Sequence, residues 1–395
     1  MLDLSWLLGM YSKDSFLTDI WQKKPKFFTT GREGYFADLF SGAAVEHAVE
    51  FSQPHPPSIR LASSRMNEKQ QVPYGLDGRI DIDKLRKLYW SGQTVVLNMV
   101  ENFHPAVAQL ARSLETEMGA RIQVNSYLTP PRAQGFRPHY DTHDVMVAQV
   151  EGQKLWKLHG ADAACPLEKM TNGDPTFTEQ TLPPEEVLLK PGDLLYIPRG
   201  WIHEAETTDT ASLHLTIGIH PPLGKDLLLS AVECLCLQHP ELRQALPIGR
   251  LSDATNKEAV ADRFAQLMAL FHGHASAADA SAAIDEQLRR RGRSGGDGHL
   301  FKDLNSLHKI TGETMLQRRD NVPCKLVITD DSATLQFLNG QITGPRDFEI
   351  AMRFAMDHVG DFAVSELPSI EPDKQLALAM SMVTDGLCRL PDSAW

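Results

Sequence analysis

Between Arg121 and His220 the chain carries Ile122-Gln123-Val124, Val145-Met146-Val147-Ala148, Lys154-Leu155-Trp156-Lys157-Leu158, Val187-Leu188-Leu189 and Leu213-His214-Leu215-Thr216-Ile217. These short apolar runs are cut apart by Pro130-Pro131, Asn172-Gly173-Asp174-Pro175 and Pro191-Gly192-Asp193. Period-two alternation suits a strand with one buried face, and Pro, Gly and Asn supply the conformations that reverse a chain. The block therefore predicts an all-β barrel or sandwich.

Outward from this block the texture changes. The first hundred residues mix helical and extended patterns, with a Trp21-Gln22-Lys23-Lys24-Pro25 segment and a helix-like run from Ile82 to Trp90, and read as a lead-in to the β region. After Pro221-Pro222, the stretches Lys225 to Gln238, Lys257 to Phe271 and Ala277 to Arg291 carry helical apolar periodicity. A Gly- and Arg-rich run, Arg290 to Gly298, reads as a linker. Beyond it, Lys325 to Thr329 and Ala333 to Leu338 form a hairpin-like pair around Asp330-Asp331-Ser332. Two helices are expected to follow, Arg346 to Val359 and about Asp373 to Leu387, the first with Ala351, Phe354, Ala355 and His358 on one face. Helices with a small hairpin suggest a winged-helix-like module, without the basic stripe that a DNA-reading version needs. The expected divisions are 1–222, 223–298 and 299–395.

The 395 residues, 42% of them hydrophobic, suffice for large cores without staples. A formal charge of −12 argues against a surface built for phosphate contacts and suits a basic polypeptide partner better. The five cysteines, Cys165, Cys234, Cys236, Cys324 and Cys388, show no repeated spacing and read as structural thiols rather than a disulfide framework. Cys234 and Cys236 point to different faces of a helix, which disfavours a shared metal. The start, Met1-Leu2-Asp3-Leu4-Ser5-Trp6, lacks the marks of a secretory signal, and no apolar stretch is long enough to span a bilayer. The expected location is the cytoplasm, most simply that of a prokaryote.

The chemistry concentrates in Arg137-Pro138-His139-Tyr140-Asp141 and in Gly192-Asp193-Leu194-Leu195-Tyr196-Ile197-Pro198-Arg199-Gly200-Trp201-Ile202-His203. At a strand or strand edge, residues two apart share a face, so His139 and Asp141 can enter one cavity, with His203 arriving from another strand. Two imidazoles and one carboxylate on one face make the triad of non-haem Fe(II) oxygenases, which leaves adjacent coordination positions open for a bidentate co-substrate and dioxygen. Taken alone, a His-x-Asp pair is more often a surface hydrogen bond. A zinc hydrolase uses the same ligand types, but it also needs a general base and has no use for a buried cation. That cation is Lys154, in Glu151-Gly152-Gln153-Lys154-Leu155-Trp156. Turned inward it requires an anion such as the distal carboxylate of 2-oxoglutarate; turned outward it is a surface lysine like Lys157. Alternation alone does not choose between these.

With Asn125-Ser126-Tyr127-Leu128-Thr129-Pro130-Pro131 and Gly135-Phe136 added, these segments resemble the JmjC ribosomal oxygenase family. Trp21 to Pro25 and Gly34 to Ser41 resemble its N-terminal part, so the likeness runs over nearly the whole chain. It implies an α+β architecture: a double-stranded β-helix (cupin, or JmjC jelly roll) catalytic domain, a helical dimerisation domain and a winged-helix-like C-terminal domain. It further implies Fe(II) held by His139, Asp141 and His203, and 2-oxoglutarate paired with Lys154. Asn125 and Tyr127 match polar groups of the co-substrate and substrate cavity, and His214 a position near the metal; the plainer reading of His214 is a hydrogen-bonded core histidine. The expected activity is hydroxylation of an Arg or His side chain of a basic ribosomal protein by a homodimer that binds neither membrane nor nucleic acid. Gly218, where histidine-hydroxylating members tend to carry serine, and Tyr140 to Val145 lean toward the arginine branch. The Asn125 motif and Lys154 lean toward the histidine branch. The same chemistry on another peptide, including methyl-lysine demethylation, a non-catalytic metal-binding cupin and a DNA-binding regulator using the C-terminal module are the competing readings.

Overall fold

The computed structural model describes residues 2–52, 58–64, 73–75, 77–161, 165–167, 183–248, 255–291, 300–319, 322–337 and 340–391. The expected turn at 172–175 and residues 292–298 of the expected linker lie outside them. The chain divides into two compact units, Met1–His220 and Pro221–Trp395. The first boundary falls where Pro221-Pro222 ends the β region, while the helical and C-terminal segments share the second unit.

Among the described residues of the first unit ten strands form two sheets: β1 (Lys26–Thr29), β2 (Ile59–Ala62), β3 (Thr94–Leu97), β4 (Arg121–Thr129), β5 (Asp144–Glu151), β6 (Lys154–Ala161), β7 (Glu185–Leu189), β8 (Asp193–Ile197), β9 (Trp201–Thr207) and β10 (Ser212–His220). The larger sheet runs β1-β8-β5-β10-β4-β3-β2 and the smaller β7-β6-β9, with antiparallel neighbours throughout. This is the expected jelly-roll layout of two facing sheets. Between them Val145, Val147, Trp156, Leu158, Leu189, Leu195 and Ile197 form an apolar core. On the other face of the large sheet, Ile122, Val124, Met146, Tyr196, Leu215 and Ile217 pack with Leu110 and Leu114 of the helix Pro105–Met118 and with the N-terminal segment. Both faces of β5 are covered, which explains why Val145-Met146-Val147-Ala148 is a continuous apolar run.

Strand β3 pairs with β4 only at residues 126–128 of the latter. Farther along, the amides of Val124 and Ile122 donate instead to the carboxylates of Glu101 (3.0 Å) and Glu115 (3.2 Å), so this stretch of edge is closed by side chains.

The turn from β5 into β6 depends on Gly152, whose φ is +63° and whose missing Cβ would lie 1.8 Å from the carbonyl oxygen of Ala211. The alternation of β6 is settled by the sheet: Lys154, Trp156 and Leu158 are buried, whereas Lys157 turns outward to Glu206 at 2.8 Å.

The second unit opens with helices Gly224–Gln238, Thr255–His274 and Ala277–Arg291, close to the limits read from periodicity. Its C-terminal part contains β12 (Lys325–Ile328), β13 (Ser332–Phe337) and β14 (Gly340–Pro345) as one antiparallel sheet, after β11 (Met315–Arg318), which pairs with β15 (Asp361–Ala363) and β16 (Cys388–Arg389). Helices Glu349–Asp357 and Pro372–Thr384 bury Ala351, Ala355, Leu378 and Met382 against Phe362 and Leu335. Thus the hairpin and both helices are where the sequence places them; Gly386, at φ +82°, follows the second helix.

Gly152→Ala should lower the unfolding free energy by at least about 2 kcal/mol in urea titrations, because the added methyl meets backbone in a left-handed turn. An unchanged midpoint would show that the turn relaxes freely.

Candidate metal centre

The two halves of the centre are joined by backbone. His139 and His203 form an antiparallel bridge, His139 N donating to His203 O at 3.1 Å and His203 N to His139 O at 2.8 Å. Gly200 N donates to Asp141 O at 2.9 Å. His139 therefore sits at a one-residue strand edge, and Asp141 on the loop after it, stitched to the start of β9.

Each imidazole is oriented from behind. His139 Nδ1 lies 2.7 Å from the carbonyl of Arg137 and His203 Nδ1 lies 2.9 Å from that of Trp201. A carbonyl only accepts, so both Nδ1 atoms carry the proton and both Nε2 lone pairs are left for another partner. The rings lie 4.6 Å apart at 53°, and His203 Nε2 is 3.6 Å from Asp141 Oδ2. One ligand atom from each of His139, Asp141 and His203 falls within 4.8 Å of the others, the one such trio of His, Cys, Asp or Glu among the described residues. Burial and the neighbouring His139 hold His203 neutral at physiological pH. For Asp141 burial favours the protonated form, but the imidazoles of His203 and His139 outweigh it and keep the carboxyl below its usual range.

The trio opens onto a cavity of about 200 Å³ whose wall includes Tyr127, Phe136, Lys154, Trp156, His214 and Thr216. Lys154 is 4% exposed, and its ammonium donates to the Thr129 hydroxyl at 3.0 Å. Burial without a facing carboxylate pushes its pKa down to about 7. Tyr127 lies flat on His214, with ring centroids 4.9 Å apart at 7°, and Trp156 meets His214 edge-on at 5.6 Å. His214 is kept neutral by burial and then by the nearby Lys154.

Asn125 is the exception among the expected site residues, for it is absent from the cavity wall. Its Oδ1 accepts from Met99 N at 3.1 Å and from Gln123 Nε2 at 3.3 Å, and its side chain bonds the Tyr127 hydroxyl, so it supports the wall from one layer back. Sequence reasoning missed Thr129, although it follows Tyr127 by two residues on one face of β4. It also missed Arg60 of β2, stacked on Phe136 at 5.2 Å, which only the fold brings near.

Residues 97–227 match the family model described as JmjC domain. The chain is 32% identical over 251 residues to Ribosomal oxygenase 1 of Rattus norvegicus, covering 61% of this chain and 42% of that protein. It is 31% identical over 254 residues to Bifunctional lysine-specific demethylase and histidyl-hydroxylase NO66 of Aedes aegypti, covering 62% and 39%. The chain thus spans less than half the length of these curated relatives. Among solved structures, YcfD, a ribosomal oxygenase from Escherichia coli in complex with cobalt and 2-oxoglutarate, superposes with a TM-score of 0.54 at 17% identity, over 96% of this chain and 98% of that one, a likeness of fold. Residues 97–227 thus match a JmjC domain in sequence, the first unit is a jelly roll with His139, Asp141 and His203 gathered at one cavity, and the chain is similar to ribosomal oxygenases.

Proposed function

We propose that this protein is an Fe(II)- and 2-oxoglutarate-dependent hydroxylase acting on an Arg or His side chain of a ribosomal protein. The observation that carries the reading is the pairing of a facial trio, both imidazoles presenting Nε2, with a buried ammonium in the same cavity that meets a hydroxyl rather than a carboxylate. A mixed imidazole and carboxylate set suits a first-row divalent metal. His214 Nδ1 and Trp156 Nε1 are buried without a hydrogen-bond partner among the described residues, as expected of a wall that receives a polar guest. The names of the curated relatives support the ribosomal substrate and the histidine alternative.

Bound iron and 2-oxoglutarate supply the oxidising chemistry, in which one oxygen enters a C–H bond and the co-substrate leaves as succinate and carbon dioxide. The chain's part is placement. The carbonyls of Arg137 and Trp201 fix both imidazole planes, and the bridge between His139 and His203 fixes their separation. Lys154 would hold the distal carboxylate, with the Thr129 hydroxyl steering the amine. Val145, Val147 and Trp156 keep the interior dry, so that this ion pair acts in a low dielectric.

The partner reading extends to a second copy. Leu228, Leu229 and Leu237 of the first helix and Phe264 of the second are 57–84% exposed, apolar side chains that suit a helical dimer interface. Among the described residues, no helix is long and apolar enough to cross a membrane.

Four measurements test this. Asp141→Ala should reduce succinate release by at least about 100-fold with an unchanged circular dichroism spectrum, and wild-type turnover in that variant would defeat the metal assignment. Because the empty site leaves Lys154 near half-protonated at pH 7, binding of the dianion should take up close to one proton at pH 8. Calorimetry in buffers of different ionisation enthalpy reads that uptake, and no buffer dependence would place the carboxylate elsewhere. Light scattering over a dilution series should report a dimer, and a monomer at every concentration would contradict the interface. The substrate itself is read by mass spectrometry of ribosomal proteins with and without the gene, as one oxygen on Arg or His.

A further inference from the structure

Three residues beyond the Asp141 ligand, the carboxylate of Asp144 is fully buried and takes hydrogen bonds from two distant parts of the chain. Its Oδ1 accepts from the Tyr196 hydroxyl at 2.8 Å and from Arg199 N at 3.4 Å, and its Oδ2 from Gln22 Nε2 at 3.5 Å. Arg199 lies in the turn before β9, and the next residue, Gly200, donates its amide to Asp141 O at 2.9 Å. The loop bearing His139 and Asp141 is thus tied to the turn that leads to His203 at two successive peptide groups, once through the Asp141 carbonyl and once through the Asp144 carboxylate.

The N-terminal segment completes the arrangement. Gln22 adopts a left-handed φ of +56°, and its amide donates to the Tyr196 hydroxyl at 2.9 Å while its side chain reaches Asp144. The Tyr196 ring is fully buried, with Trp21 at 5.7 Å and Phe16 edge-on at 5.1 Å. A buried carboxylate with several donors is a stiff joint, since moving any partner leaves charge or N–H unsatisfied in a dry interior.

Resting on the metal-centre reading above, we infer that Asp144, held by Tyr196 and Gln22, is a positioning residue that sets the gap between the Asp141 and His203 ligands. This makes the Trp21-Gln22 segment a working part of the metal site rather than an external brace. The carboxylate is not part of the cavity wall or of the ligand trio, so its effect should appear as metal affinity and ligand geometry.

The test is anaerobic Co(II) titration of the full chain, following the visible d–d bands, with circular dichroism to establish folding. Asp144→Asn, which keeps size but replaces an acceptor with a donor facing Gln22, should weaken Co(II) about 10–100-fold and shift the bands. Tyr196→Phe should weaken it about 3–10-fold. Gln149→Leu is the control: it removes an equally buried polar group of β5 that bonds Ser212 at 2.8 Å, and it should leave affinity within about twofold. Folded Asp144→Asn protein with wild-type affinity and bands overturns the inference, as does an equal loss in Gln149→Leu. If Asp144→Asn does not fold, Tyr196→Phe decides by the same two outcomes. A wild-type chain that binds no Co(II) would instead sink the metal centre itself, which separates the two failures.

Discussion

The reciprocal backbone bridge between His139 and His203 is the constraint on which the site depends. Two hydrogen bonds of 3.1 and 2.8 Å fix the spacing of two side chains that lie 64 residues apart in sequence (203 − 139), and neither side chain takes part in the fixing. The imidazoles are thereby free to spend one nitrogen on the local carbonyl and present the other. A ligand set made this way is as rigid as the sheet that carries it, which is what a metal site with open positions requires, because those positions lend no stiffness of their own.

The second element is an energetic liability put to use. An ammonium buried beside Trp156 and His214, whose hydrogen bond among the described residues goes to the Thr129 hydroxyl, is costly, and burial brings Lys154 to about 7 as a result. Apolar packing would be cheaper at this position. In the proposed reading that cost would become an asset on arrival of a dianion, since the ammonium is already desolvated and the ion pair would form in a dry cavity. Lys154 is delivered there by the turn at Gly152 and by the alternation of β6, so two features that look purely structural determine where the cation sits.

Much of this was legible in the chain, for identifiable reasons. The apolar runs between Arg121 and His220 announced strands, although alternation with one buried face was the expectation and Val145 to Ala148 is covered on both, and the helices at Lys225, Lys257 and Ala277 announced themselves by period. His139, Asp141 and His203 were readable because their residue types have few joint uses, and of the two settings expected, strand or strand edge, the structure uses the edge, with His139 bridged to β9. The face of Lys154 could not be read, because alternation gives two registers and only pairing with β7 and β9 selects one. Asn125 was assigned to the cavity by motif, yet it spends its oxygen on Met99 and Gln123 in the layer behind. Arg60 left no signal, and Gln22, although inside the Trp21 to Pro25 segment that stood out, gave none of its partner, since nothing local to β2 or to the N-terminal segment indicates which distant strand it will meet. Thr129 was within reach of the same two-residue spacing that exposes Tyr127.

The central claim, that this cavity holds a metal and a dicarboxylate at once, is tested most directly by a crystal structure of the protein loaded anaerobically with Mn(II) and 2-oxoglutarate. The account predicts one metal ion bonded to Nε2 of His139, Nε2 of His203 and a carboxylate oxygen of Asp141, with Lys154 Nζ about 2.7–2.9 Å from the distal carboxylate. A metal bound through other atoms, or a co-substrate whose distal carboxylate lies away from Lys154, would contradict it.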